Sequence, residues 1–196
     1  LLKRFKEVLK NEELRVYLLI CTVATAVIAW NVWDTFFSAE GCIRTAFFQV
    51  ASIITTAGFA TADFTLWANA SQMVLVILMF VGACAGSTGG GIKGSRLLIA
   101  GKTVRKEFGS YVHPKSIKKI QMDGKPIEHD VVRSTNVYFM TYLMLFALFL
   151  FLVSLEGQDL VTTFTAVAAT FNNIGPGLGM VGPICNFGGM TVFSKW

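Results

Sequence analysis

Charge is scarce in this sequence. Asp, Glu, Lys and Arg make up 15% of the 196 residues, where a soluble domain carries roughly a quarter, so water is the wrong solvent for much of the chain. Cysteine is sparse too: Cys21, Cys42, Cys84 and Cys185 are scattered and form no C-x-x-C pair. That argues against a disulfide framework or a thiolate metal site and leaves them as small apolar filler. The two histidines, His113 and His129, lie in a basic polar stretch without ligand-like spacing. The opening residues, Leu1 to Lys10, lack the short apolar run and small-residue cleavage site of a signal peptide. No carboxylate is visible within the long apolar runs.

What is present is apolar. Hydrophobic residues make up 54% and aromatics 13%, with seventeen Phe, and the mean hydropathy is +0.59. So many large apolar side chains exceed what one core of this size holds, and the surplus is expected to face lipid. Leu14–Trp33 and Ser134–Leu155 are each long enough, at ~1.5 Å per residue, to cross a ~30 Å hydrocarbon core. Met73–Ala100 is longer than one crossing needs and is interrupted by glycines. Cys42–Ile54 and Leu160–Phe171 are too short to span, and read either as interfacial helices or as re-entrant helices that turn and return on one side.

Basic residues choose between these. Lys3, Arg4, Lys6, Lys10 and Arg15 precede the first run, and Lys102, Arg105, Lys106, Lys115, Lys118, Lys119, Lys125 and Arg133 fill the link before Ser134. Both segments are expected to be cytoplasmic. With the short helices re-entrant, every flank obeys that rule. The expected order is a cytoplasmic segment over 1–13, then a unit over 14–104 (span 14–33, short helix 42–54, turn 55–59, broken span 71–104). A basic cytoplasmic loop over 105–133 follows, then a second unit over 134–196 (span 134–155, short helix 160–171, turn 172–176). The closing helix of that second unit is missing, so the chain reads as part of something longer.

The two units repeat. Placing Gly58 over Gly175 aligns TAFFQVASIITTAG with TTFTAVAATFNNIG, with identity at Thr45/Thr162, Phe47/Phe164, Val50/Val167, Ala51/Ala168 and Gly58/Gly175. Each copy follows a spanning run and an acidic corner, Asp34 and Glu40 in the first, Glu156 and Asp159 in the second. Each short helix ends in a polar glycine turn, TTAGF and NNIGP. A pore that strips a cation of water needs carbonyl or hydroxyl oxygens in place of hydration. Glycine adopts positive φ cheaply and can aim a carbonyl, and the helix end adds partial negative charge. Thr55, Thr56, Ala57 and Gly58, with Asn172, Asn173, Ile174 and Gly175, are the candidate K⁺-binding residues. The alternative is an ordinary glycine cap that ends a helix.

A second candidate site lies in GACAGSTGGGIKGS, where six of fourteen residues are glycine, each costing a helix about 1 kcal/mol relative to Ala. Gly89-x-Gly91-x-x-Gly94 matches a dinucleotide fingerprint in letters only, with no preceding strand and no acidic residue about 20 positions on. Gly82, Gly86, Gly90 and Gly94 also have the spacing of a close helix contact. The remaining reading is an unwound intramembrane loop, with Gly82, Ala83, Cys84, Ala85, Gly86, Ser87, Thr88, Gly89, Gly90 and Gly91 as a candidate gate. Lys93 and Arg96, just after it, are expected to snorkel or pair near the inner interface.

In order, TTAGFATADF, GACAGSTGGGIK and FNNIGPGLG resemble the third pore loop, the broken helix and the fourth pore loop of the Trk/Ktr/HKT potassium transporter superfamily, in its TrkH-type bacterial branch. The resemblance implies an all-α membrane protein built from helix–pore-loop–helix repeats of a K⁺-channel-like pore, here one complete repeat and a second lacking its last helix. It implies K⁺ as the transported ion, no cofactor, no enzymatic activity, and residence in the bacterial inner membrane. Implied partners are the lipid bilayer, the remaining pore repeats, a second copy in a homodimer, and a cytosolic nucleotide-binding regulatory subunit of TrkA type; nucleic acid is not expected. Rival readings are an alternating-access cation transporter, which a buried carboxylate within a span would favour, and a structural membrane subunit.

Overall fold

The computed structural model describes residues 10–33, 38–112, 120–191 and 194. Lys3, Arg4, Lys6, Asp34, His113, Lys115, Lys118, Lys119 and Lys195, to which the sequence assigns a side of the membrane, an acidic corner or a solvated loop, lie outside them.

The protein is all-α apart from one small hairpin. Helix α1 (Glu12–Asn31) starts where the Asn11 side chain accepts from Leu14 N, and it carries Glu12 and Glu13 in its first turn, where negative charge suits the helix dipole. Helix α2 (Ala39–Ile54) is capped by Ser38, whose Oγ accepts from Gly41 N at 3.1 Å. It begins three residues earlier than the apolar pattern indicates, because Ser38 and Glu40 supply a cap and a first-turn acid that hydropathy does not register. At ~1.5 Å per residue, its sixteen residues are still shorter than a ~30 Å hydrocarbon core.

Small residues let α1 and α2 approach closely. Ala24, Ile28 and Ala29 of one are buried, as are Cys42, Ala46, Val50 and Ile53 of the other, and Cys42 Sγ donates to Ala29 O at 3.2 Å. Helix α3 (Asn69–Phe80) packs on both.

The apolar stretch from Met73 to Ala100 is not one helix. Helix α3 ends at Phe80, residues 81–93 are non-helical, and α4 (Gly94–Val112) resumes beyond them. The region expected as an irregular basic loop over 105–133 is largely ordered. Helix α4 continues through Arg105 and Lys106 to Val112, where Arg105, Lys106 and Glu107 are good helix formers and Gly109 does not end it. A hairpin follows, β1 (Gln121–Met122) and β2 (Lys125–Pro126), turned by Asp123 (φ 51°) and Gly124 (φ 76°). This is the Asp-Gly pair that two-residue hairpins favour. Asp123 Oδ1 accepts from Glu12 N at 2.8 Å and Oδ2 from Asn11 Nδ2 at 3.3 Å. Lys102 pairs with Glu12 and donates to Gln121 O at 2.6 Å.

Helix α5 (His129–Ser154) runs straight on from the hairpin, five residues before the apolar run begins. Helices α1 and α5 are the two described helices long and apolar enough to cross a membrane. Helix α6 (Leu160–Phe171) is capped by Asp159, whose Oδ2 accepts from Thr162 N at 2.9 Å. The Thr162 hydrogen bonds hold the Asp159 carboxyl below the usual carboxylate range.

Helix α5 is locked to α6 and α3 by aromatics. Phe146 makes edge contacts with Phe80, Phe164 and Phe171 at centroid separations of 5.3, 5.5 and 6.0 Å. Tyr142 meets Phe171 at 5.0 Å. Such pairs contribute about 1 kcal/mol each. Phe146→Ala is therefore expected to destabilise the protein by about 3 kcal/mol, read as a lower unfolding temperature in detergent, whereas Leu143→Ala, on an exposed position of the same helix, leaves it unchanged.

Candidate functional site

The two helix ends at Ile54 and Phe171 are closed by the same three backbone bonds. In the first, Thr55 N donates to Ala51 O (3.0 Å), Thr56 N to Ile53 O (3.0 Å) and Ala57 N to Ser52 O (2.9 Å). In the second, Asn172 N donates to Ala168 O (3.2 Å), Asn173 N to Thr170 O (3.0 Å) and Ile174 N to Ala169 O (2.8 Å). This is a Schellman termination, with its left-handed residue at the first position past the cap. That residue is Thr56 (φ 59°) in one copy and Asn173 (φ 57°) in the other. Gly58 (φ 74°) and Gly175 (φ 113°) lie two positions further on. The caps are thus made without glycine, and the positive φ at Gly58 and Gly175 meets a separate requirement of the chain beyond each helix.

At Gly58 the requirement is also one of space. A Cβ there would sit 1.9 Å from the Ile174 carbonyl oxygen, so the two turns meet backbone to backbone; at Gly175 nothing lies within 4 Å. Among the described residues, the carbonyl oxygens of Thr55 to Gly58 and of Asn172 to Gly175 accept no hydrogen bond. Backbone carbonyls away from water are normally paired; of these eight residues Thr56, Gly58, Asn172 and Ile174 are buried or half-buried, and Thr55, Ala57, Asn173 and Gly175 are exposed. Neither turn contains a charged side chain.

The glycine-rich segment lies against the same two turns. Its limbs are zipped at the base, where Val81 bridges Ile92 in parallel, Gly82 N donates to Ile92 O (2.8 Å) and Ile92 N to Phe80 O (3.2 Å). Gly90 N donates to Thr56 Oγ1 at 3.0 Å, and a Cβ on Gly90 would meet Asn172 O at 2.0 Å. Gly89 faces Thr55 O and Thr56 Oγ1, while Gly82 packs on Gly90 and Gly91. Thr55, Thr56, Gly58, Asn172, Asn173, Ile174, Gly82, Gly89, Gly90 and Gly91 are thus brought together. Ala83 accepts from Gly94 N and Cys84 from Ser87 N within the loop. The tip, Ala85 to Thr88, is exposed, and Gly86 has open space around it; Ala57 is exposed on the other side.

Four elements of the site carry no signal in the sequence. Ser52 Oγ donates to Phe59 O at 2.6 Å, and the fully buried Gln49 has its amide oxygen placed to accept from Thr61 N (2.9 Å) and Ala62 N (3.1 Å). Together they pin the strand leaving the first turn to α2. In the second copy Thr165 Oγ1 accepts from Leu178 N at 2.9 Å and Thr162 Oγ1 from Met180 N at 3.2 Å. Tyr142 OH donates to Asn172 Oδ1 at 2.6 Å and Asn172 Nδ2 to Ala168 O at 2.8 Å, which ties the second turn to α5. Glu13, assigned by the sequence to a polar leading segment, is buried in the first turn of α1 and accepts from Ala85 N and Ser95 N, both at 2.7 Å.

Lys93, expected to snorkel or pair, is paired. Its ammonium folds back onto the loop, donating to Ser87 O (2.9 Å), Ser87 Oγ (3.1 Å) and Gly89 O (2.5 Å), because three acceptors of the turn it follows lie within reach. Arg96 stacks over the Tyr138 ring, 4.0 Å from its centroid, and links α4 to α5.

Comparison with known proteins adds to this geometry. Residues 9–196 match the model of the TrkH family, described as a cation transport protein. The Trk system potassium uptake protein TrkH of Salmonella typhimurium is 33% identical over 192 residues, covering 95% of this chain and 39% of that protein. The Trk system potassium uptake protein TrkG of Escherichia coli is 33% identical over 178 residues, or 90% and 37%. The crystal structure of the potassium transporter TrkH from Vibrio parahaemolyticus superposes with a TM-score of 0.87 at 34% identity, covering 95% of this chain and 40% of that one. The chain therefore spans about two fifths of the length of the curated relatives it matches.

The unequal surroundings of the two glycines give an expected ranking. Gly58→Ala combines a left-handed backbone with a clash against Ile174 O and should cost about 3 kcal/mol, whereas Gly175→Ala pays the backbone term alone, about 1–2 kcal/mol. Thermal unfolding of both variants of the intact protein in detergent measures the difference.

Proposed function

The chain belongs to the TrkH family of cation transport proteins, and from that footing we propose that it forms two of the pore-lining units of a channel-like K⁺ pathway. In this reading Thr55, Thr56, Ala57 and Gly58, with Asn172, Asn173, Ile174 and Gly175, supply backbone carbonyls that replace the hydration shell of K⁺. The loop from Gly82 to Gly91 is a gate beneath them. The units work together with further pore repeats of a longer polypeptide in a multi-pass protein of the bacterial inner membrane. A homodimer and a cytosolic nucleotide-binding regulatory subunit complete the assembly.

The observation that carries this reading is the repetition of one backbone geometry. Two helix ends, closed by the same three backbone bonds, each lead into a run of unpaired carbonyls that ends in a positive-φ glycine. Unpaired backbone oxygens are costly where water is excluded unless something else binds them, and a weakly hydrated monovalent cation is the ligand that takes neutral oxygens alone. An anion would need the N–H groups that these turns have already used. The structural-subunit reading accounts for the close glycine contacts and leaves the matched carbonyl runs without a role. The alternating-access reading gains one point from the buried Glu13, but that carboxylate is bonded to Ala85 N and Ser95 N and to neither turn.

Two experiments test the proposal. Gly175→Ser in the full-length protein is expected to lower K⁺ preference over Na⁺ several-fold while the protein stays folded, since the site has space for the side chain and only the carbonyl is re-aimed. An unchanged permeability ratio in folded protein refutes the filter. For topology, a single cysteine at Asn69 should react with impermeant reagent from outside and one at Lys125 from the cytoplasm; reaction of both from one side refutes the re-entrant arrangement.

A further inference from the structure

We infer that Glu13 is the positioning residue that holds the glycine loop in place beneath the two turns, coupling the loop to the cytoplasmic end of α1. The inference rests on the reading of that loop as a gate. One carboxylate oxygen of Glu13 accepts from Ala85 N, on the outgoing limb of the loop, and from Ser95 N, in the first turn of α4, each at 2.7 Å. A single atom thus bridges the two limbs. Gly94 makes this possible, since a Cβ there would lie 3.2 Å from the same oxygen and 3.3 Å from Glu13 Cγ.

Glu13 accepts no other hydrogen bond among the described residues. Lys102 and Arg105 line the same cavity of about 310 Å³ between α1 and α4, yet Lys102 pairs with Glu12 and with Gln121 O, and no cation is paired with Glu13 among the described residues. Its charge is therefore directed at backbone N–H groups. Hydrogen bonds to an ionised acceptor are about twice as strong as neutral ones, and negative charge is favoured at the start of α4.

The other attachments of the loop differ in kind. Lys93 binds Ser87 and Gly89, so it shapes the loop without fastening it to another element. The Val81–Ile92 pairing closes the base. Among the described residues, only Thr56, through Gly90 N, and Glu13, through Ala85 N, fasten the segment between Gly82 and Gly91 to a different helix unit by side-chain hydrogen bonds. Thr56 belongs to the turn itself. Glu13 holds from below, and releasing Ala85 while keeping Ser95 would let the exposed tip swing with the base intact.

The test uses the full-length protein in proteoliposomes, without regulatory partner, and compares Glu13→Ala, Glu13→Gln and a deletion between Ala85 and Gly91. Loss of one charge-assisted hydrogen bond from the held state corresponds to about a tenfold shift in the equilibrium, so Glu13→Ala should raise K⁺ flux per folded molecule about tenfold. Glu13→Gln keeps an acceptor oxygen and should raise it less. The K⁺ over Na⁺ preference should be unchanged in both. With Thr88→Cys at the exposed loop tip as sole cysteine, its labelling by cytoplasmic thiol reagent should quicken in the order Glu13, Gln, Ala at position 13. A merely structural role predicts lower flux and no such order. If the deletion raises flux and the folded Glu13 variants do not, the latch is overturned and the gate stands. If the deletion and the variants all leave flux unchanged, the gate itself fails. Should Glu13→Ala not assemble, wild-type flux and labelling in Glu13→Gln overturn the inference.

Discussion

Backbone meets backbone at the centre of this protein, and everything around that meeting is arranged to allow it. At Gly58, Gly82 and Gly90 a Cβ would fall within 2.6 Å of another chain segment's carbonyl oxygen, closer than any side chain tolerates. Two turns and one loop are thus pressed together, with Thr56 Oγ1 bridging the loop and the first turn. Such contact is favourable only if the backbone polar groups involved are satisfied or bind something else, which is why capping, zipping and pinning bonds cluster within a few residues of each glycine.

The stiff frame for this contact comes from the helices. Caps at Asn11, Ser38 and Asp159 fix where α1, α2 and α6 begin, and paired Schellman bonds fix where α2 and α6 end. Aromatic packing of Phe80, Phe146, Phe164 and Phe171 then holds α6 against α3 and α5. In lipid the hydrophobic effect gives no drive between helices, and dispersion and specific hydrogen bonds must do that work. Tyr142 to Asn172 is one such bond. It joins a long exposed-faced helix to the one fully buried amide of the second turn.

Much of this was legible in the sequence and some was not, for definite reasons. Hydropathy finds long apolar helices because their signal accumulates over twenty residues, and the glycine cluster marks the break in the third run because no helix tolerates six in fourteen. The internal repeat is readable from five identities and shared acidic corners. Helix starts at Ser38 and His129 fall earlier than expected because caps and first turns are polar. Thr56 and Asn173 as left-handed residues could not be read, since Thr in particular disfavours that conformation; only the repeat offset, applied to geometry, shows that they are equivalent. Asp123-Gly124 was a readable turn signal hidden among basic residues. Glu13 looked like one more charge in a polar leader, and only the fold shows it buried. A carboxylate whose partners are backbone N–H groups more than seventy residues away leaves no mark in local sequence.

The contact of Gly58 with Ile174 has a consequence for descent. A duplicated unit normally frees one copy to drift, because the original continues to serve. Here the second copy forms a wall of the first: the Ile174 carbonyl occupies the space a side chain would need at Gly58, while Gly175 keeps open space. Divergence is therefore open along the flanks, where Gln49 and Ser52 serve one copy and Thr162 and Thr165 the other, and closed at the joint. A lineage carrying this fold can rewrite how each turn is fastened, but it inherits the two turns as a single heritable object.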